Sequence, residues 1–270
     1  MVFAALSRVA RVRVTMIYAV ALIVVTTVLA GLAPAVQDRV IRHASTNLHN
    51  LRHGHVETLL DSAFVADAGP VSLWLPGLAC LLGIGELLWR GKRLLVAFTV
   101  GHVGATLFVA VGLTAAVTFG WLPATVTRAT DVGISYGAAA VLGALTPAIP
   151  RRWRPTWVGW WLALGAAVVY LGSDFSDTGH AVAMVLGMVV ATRFGRPRRW
   201  TPFRAALLVA GATYGYLVLT GDEVTPVVAT WCGVAGAVLG TVVTVLSSVE
   251  RRRAPSANGP DVRSVARVPM

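Results

Sequence analysis

Ser135 stands between Gly133 and Gly137 in DVGISYGAAAVLGAL (131–145), where a short polar stretch gives way to a long apolar run. A serine hydroxyl is a weak nucleophile until a base takes its proton, and neutral histidine is suited to that work near pH 7. The candidate base is His180, in DFSDTGHAVAMVLGMVVA (174–191). Ser135 comes four residues after Asp131, and His180 three after Asp177. If both segments are neighbouring helices running the same way, a rise of about 1.5 Å per residue brings hydroxyl and imidazole to nearly one depth. Such a pair is equipment for acyl transfer. The G-x-S triplet alone is weak evidence in a chain with 27 glycines; position carries the inference.

A histidine inside a bilayer span is costly and marks a functional candidate. The competing reading of His180 is a packing residue bonded to Asp177 or a carbonyl. His102, about ten residues into another apolar run, has no serine or acid expected at its depth and reads as structural. Glu86, beside Arg90, reads as an interfacial ion pair or a helix contact.

The elements that must position these residues follow from composition. The 270 residues are 56% hydrophobic and 13% charged, which describes a polytopic membrane protein. Apolar runs predict eight spans at about 14–36, 71–89, 93–118, 132–149, 156–172, 176–192, 205–220 and 225–248. A net charge of +11 would suggest nucleic acid in a soluble domain, but 19 of the 23 basic residues fall in alternate loops, so no nucleic-acid partner is expected. The positive-inside rule makes those loops cytoplasmic, with both termini inside a plasma membrane. Nine of the twelve acids lie on the opposite face.

The first span, MIYAVALIVVTTVLAGLAPA, reads as a retained helix, its apolar stretch exceeding a usual leader. Loop 37–70 is too long for a mere connection and is expected to hold amphipathic structure at the interface. Its His43, His49, His53 and His55 read as solvated rather than as a metal site, and no HExxH pattern occurs. Cys80 and Cys232 lie in apolar runs as packing residues. Neither a metal nor a cofactor is implied.

The order of these features resembles the rhomboid intramembrane serine proteases, over residues of about 14–195. Gly133, Ser135 and Gly137 fall on the nucleophile motif at the start of the fourth helix. His180, with Ala183 and Gly187 three and seven positions later, falls on the base and the small residues that let those helices pack. ETLLDSAF (57–64) is similar to the end of the first rhomboid loop, and GIGELLWRG (83–91) to the close of the second helix. Alanine-, arginine- and valine-rich composition fits an actinobacterial branch of rhomboid-like proteins. The implied fold is all-α: a cytoplasmic N-terminus (1–13), a rhomboid-like six-helix membrane core (14–200), two additional transmembrane helices (201–250) and a disordered cytoplasmic tail (251–270). Two departures stand out. Val71 and Leu75 occupy the positions of the family's side-chain oxyanion donors, and losing one such donor costs about 10²–10³ in kcat. Tyr136 replaces a glycine beside the nucleophile, and either supplies a donor hydroxyl or crowds the site.

The resemblance implies a Ser135–His180 protease cutting transmembrane segments near the extracytoplasmic face. The alternative is an inactive rhomboid-like protein that binds client transmembrane helices. A small-solute transporter is the third reading, but no inverted repeat supports it.

Overall fold

The computed structural model describes residues 11–66, 69–172, 174–221 and 225–253, and among these every regular element is helical. Helix α1 spans Arg13–Ala30. Three short helices follow: α2 (Pro34–Ala44), α3 (Leu48–Arg52) and α4 (Thr58–Asp61). The remainder are α5 (Val71–Trp89), α6 (Gly91–Thr118), α7 (Ser135–Ala144), α8 (Arg154–Leu171), α9 (Phe175–Ala191), α10 (Pro202–Thr220) and α11 (Thr225–Arg253). Of these, α1, α5, α6, α10 and α11 are long and apolar enough to cross a bilayer.

The eight expected runs all emerge as helices, with two changes of extent. The first ends at Ala30 rather than near 36, because Pro34 has no N–H to donate and crowds the preceding turn; it begins α2 instead. The fourth is an α-helix only over Ser135–Ala144, then a 3₁₀ turn at Thr146–Ala148. Ten residues rise only about 15 Å, half the hydrocarbon core. Nine of the ten are buried, so α7 meets protein rather than lipid and need not match the bilayer. At the other end of the chain, α11 continues to Arg253; residues 254–270, assigned from sequence to the tail, lie outside the described residues.

Missing side chains bring α7 against its neighbours. A methyl group on Gly187 of α9 would overlap the Ala140 carbonyl of α7, and one on Gly143 of α7 would overlap the Met184 carbonyl of α9. Gly101 of α6 makes the same close approach to Ala140. A second contact of this kind joins α8 to α11, where Gly159 and Gly236 face each other and Gly240 meets the Pro155 carbonyl. Such backbone approaches hold helices together in lipid, where hydrophobic burial cannot.

Glu86 resolves into a helix contact. It is buried near the end of α5 and accepts hydrogen bonds from Val14 N (3.1 Å), Thr15 N (2.8 Å) and Thr15 Oγ1 (2.9 Å). The carboxylate thereby satisfies first-turn donors of α1 and meets the positive end of its dipole.

Candidate catalytic site

The segment before α7 is held from the side by the long loop. Asp131 N donates to Ser45 Oγ (2.8 Å), Thr46 N to the Asp131 carbonyl (2.9 Å), and Gly133 N to the Ser62 carbonyl (2.9 Å). Gly133 has φ +130°, a conformation that a side chain would strain. Its glycine is therefore needed to turn the chain into α7. Ser135 is the first residue of that helix and is half-buried. Within the loop, Ser45, Thr46, Asn47, Thr58 and Ser62 are buried and act as its polar anchor.

His180 is 7% exposed on α9, and both ring nitrogens are buried with no hydrogen-bond partner among the described residues. The Tyr136 ring meets it edge-on, centroids 5.1 Å apart. A methyl group on Gly179 would overlap Tyr136, and one on Gly137 would overlap Phe98, so both glycines make room for rings. Ala183 is fully buried and Gly187 sits on the α7 backbone, as described above. The structure thus brings the first turn of α7 against His180. No Ser135–His180 hydrogen bond is present among the described residues, nor a bond from His180 to Asp177. Val71 and Leu75, in the first turns of α5, pack on the core as apolar groups.

Acidic groups collect at this end. Asp174 caps α9 through Ser176 N (3.1 Å), and Gly172 leaves space that the Asp177 carboxyl enters. Burial raises the Asp131 carboxyl to about 6, Asp174 pushes it the same way, and Tyr136 opposes. The Tyr136 hydroxyl faces this carboxyl without reaching hydrogen-bond geometry.

Sequence reading missed the partner of His102. Ser62 Oγ lies 3.2 Å from His102 Nε2, so a serine does stand at its depth, contributed by the loop rather than by a span. The His102 ring also lies 6.4 Å from that of Tyr136, which places Tyr136 between two histidines. Only the burial of a loop segment reveals this, and hydropathy does not report it.

The four loop histidines pair by ring contact, His43 with His55 at 5.8 Å and His49 with His53 at 4.3 Å. His55 Nδ1 meets exposed Glu57 Oε1 at 2.9 Å. Among the described residues no group of histidine, cysteine or carboxylate side chains has the geometry to hold a metal ion.

Residues 7–198 match the family described as Rhomboid-like protein. The chain belongs to the rhomboid-like protein family. No curated protein and no solved structure matches it. With its apolar helices, this membership makes it a multi-pass membrane protein, and the matched region runs from before α1 to just past α9. Helices α10 and α11 lie beyond the match, yet they are joined to it: Gly211 of α10 packs on the Leu81 backbone of α5, and α11 on α8.

Proposed function

We propose that this rhomboid-like protein is an intramembrane serine endopeptidase, with Ser135 as nucleophile and His180 as general base. The observation that carries the reading is the pair of buried nitrogens of His180, without a partner among the described residues, beside the first turn of α7. Buried polar atoms without partners are costly, and in native proteins they call for an explanation such as catalysis. His180 would take the Ser135 proton as the hydroxyl adds to a peptide carbonyl, then return it to the leaving amine. The first-turn N–H groups of α7, which have no intrahelical acceptor, would receive the oxyanion, with the Tyr136 hydroxyl as a further donor. A substrate helix must unwind locally to expose its carbonyl, since its backbone is fully bonded in lipid. Arginine placement favours a site at the extracytoplasmic face of the plasma membrane with both termini in the cytoplasm.

Apolar Val71 and Leu75 and the missing Ser135–His180 bond favour a second reading, a client-binding protein that keeps the fold without the chemistry. Apo active sites are often loosely aligned, so geometry alone does not decide. A fluorophosphonate serine probe separates the two. Labelling of the purified full chain that disappears in both Ser135→Ala and His180→Ala is the protease result. A folded wild type that takes up no label leaves client binding.

A further inference from the structure

Between α1 and α2 lies an open gap of about 810 Å³, its walls including Val25 of α1, Arg39, Val40 and Arg42 of α2, and Asp61 and Phe64 at the end of α4. The two arginines are three residues apart on one face of α2, where like charges repel. Neither guanidinium has an ion pair or hydrogen bond among the described residues, although Asp61 shares the wall. Val36 and Val40, one turn apart on the same helix, are both exposed. A helix that shows cations and apolar side chains together is suited to the headgroup boundary of a bilayer. There a guanidinium presents paired donors that match a phosphate.

Beyond the arginines the wall continues as an apolar slot. Phe64 borders both the gap and a second cavity of about 160 Å³, which has Val14, Tyr18, Leu95 and Phe98 among its walls. Val14, Tyr18 and Val25 follow one another at four and seven residues, so they share one face of α1. From Val25 to Val14 the helix rises about 16 Å, about half of the roughly 30 Å hydrocarbon core and so the depth of one leaflet. Leu60, Phe64 and Leu95 leave the slot's rim exposed and apolar, open to lipid.

We propose that this surface binds one anionic phospholipid from the leaflet on the side where the loop meets Asp131, its phosphate on Arg39 and Arg42 and one acyl chain passing Phe64 along α1. The headgroup would brace α2 next to Ser45, whose Oγ accepts from Asp131 N ahead of α7. The proposal does not depend on Ser135 chemistry.

The test is native mass spectrometry of the detergent-solubilised full chain, titrated with phosphatidylglycerol, with phosphatidylcholine of the same chains, and with glycerophosphoglycerol, the headgroup without chains. One phosphatidylglycerol per chain should be retained, about tenfold or more tighter than phosphatidylcholine, and the bare headgroup should bind far more weakly than the lipid. The double variant Arg39→Gln, Arg42→Gln should erase the preference for the anionic lipid. Arg52→Gln, which removes an exposed cation of α3 outside the gap, should keep it. Without lipid all three proteins should unfold at the same midpoint, since the altered side chains are exposed. Equal retention of the two lipids, a preference that survives the double variant, or an equal loss in Arg52→Gln, the mark of general charge attraction, would each overturn the proposal. So would a bare headgroup that binds as tightly as the lipid, which would make this a site for free phosphate esters.

Discussion

His102 and His180 are both buried, both beside Tyr136, and differently wired. His102 Nε2 belongs to a chain of hydrogen bonds through Ser62 and Thr46 to the Thr58 carbonyl, and that chain ties α6 to the loop. His180 stands on α9, which packs on α7 through glycines, with neither nitrogen bonded among the described residues. Removing one partner from a satisfied buried pair leaves the other stranded, whereas removing an unsatisfied group can relieve a penalty. The two histidines therefore should answer differently to the same substitution, and that difference separates a residue kept for structure from one kept for chemistry.

The largest effect should come from the contact that holds His180 in place. Gly187→Val drives a side chain into the Ala140 carbonyl and should cost about 3 kcal/mol or more, read as a lower unfolding midpoint in detergent. Gly112→Ala, on α6 with nothing near the added methyl, is the control and should be neutral or slightly stabilising. A well-tolerated Gly187→Val would mean that α7 and α9 do not meet along this face.

Next comes the direct comparison. His102→Leu removes one of the two hydrogen bonds of buried Ser62 Oγ and should cost about 1–3 kcal/mol, while His180→Leu should leave stability unchanged or raised, even though it abolishes probe labelling. If both variants lose stability equally, His180 has a hidden partner and its bareness explains nothing.

The acid beside Tyr136 sharpens the comparison through pH. The Asp131 carboxyl is raised from its ordinary 3.8 to about 6 in the folded chain, so the native state binds its proton more tightly than the unfolded one. Its contribution is complete below about pH 4 and is lost as pH rises through about 6. The unfolding midpoint should therefore fall between pH 4 and 7, and this dependence should shrink in Asp131→Asn. An identical profile in the two proteins would assign the titration elsewhere.

The smallest effect belongs to the exposed His55–Glu57 pair. Burning no buried contact, Glu57→Gln should not shift the unfolding midpoint measurably, since solvent screens such pairs.

Much of the frame was legible beforehand. Eight apolar runs became helices, and Tyr136, the residue after Ser135, meets His180, because depth along a helix is set locally by rise per residue. Loop 37–70 was read as interfacial with solvated histidines; the pairing of those rings and the burial of Thr46 and Ser62 escaped because nothing in a polar loop's composition states where it folds inward. Glu86 showed the same limit. Its carboxylate was visible beside Arg90, yet its partners are Val14 and Thr15, more than seventy residues earlier.

By itself the sequence determined which segments are apolar enough to be helices, which loops carry the arginines, and which small residues lie in register on α7 and α9, since all three are properties of local composition and period. Only the tertiary structure decided that Ser62 serves His102, that Glu86 caps α1, that Tyr136 lies between two histidines and that α7 is half a span long. Hydrogen bonds and ring contacts are short-ranged, so their partners are settled by the path of the chain through space and not by its order.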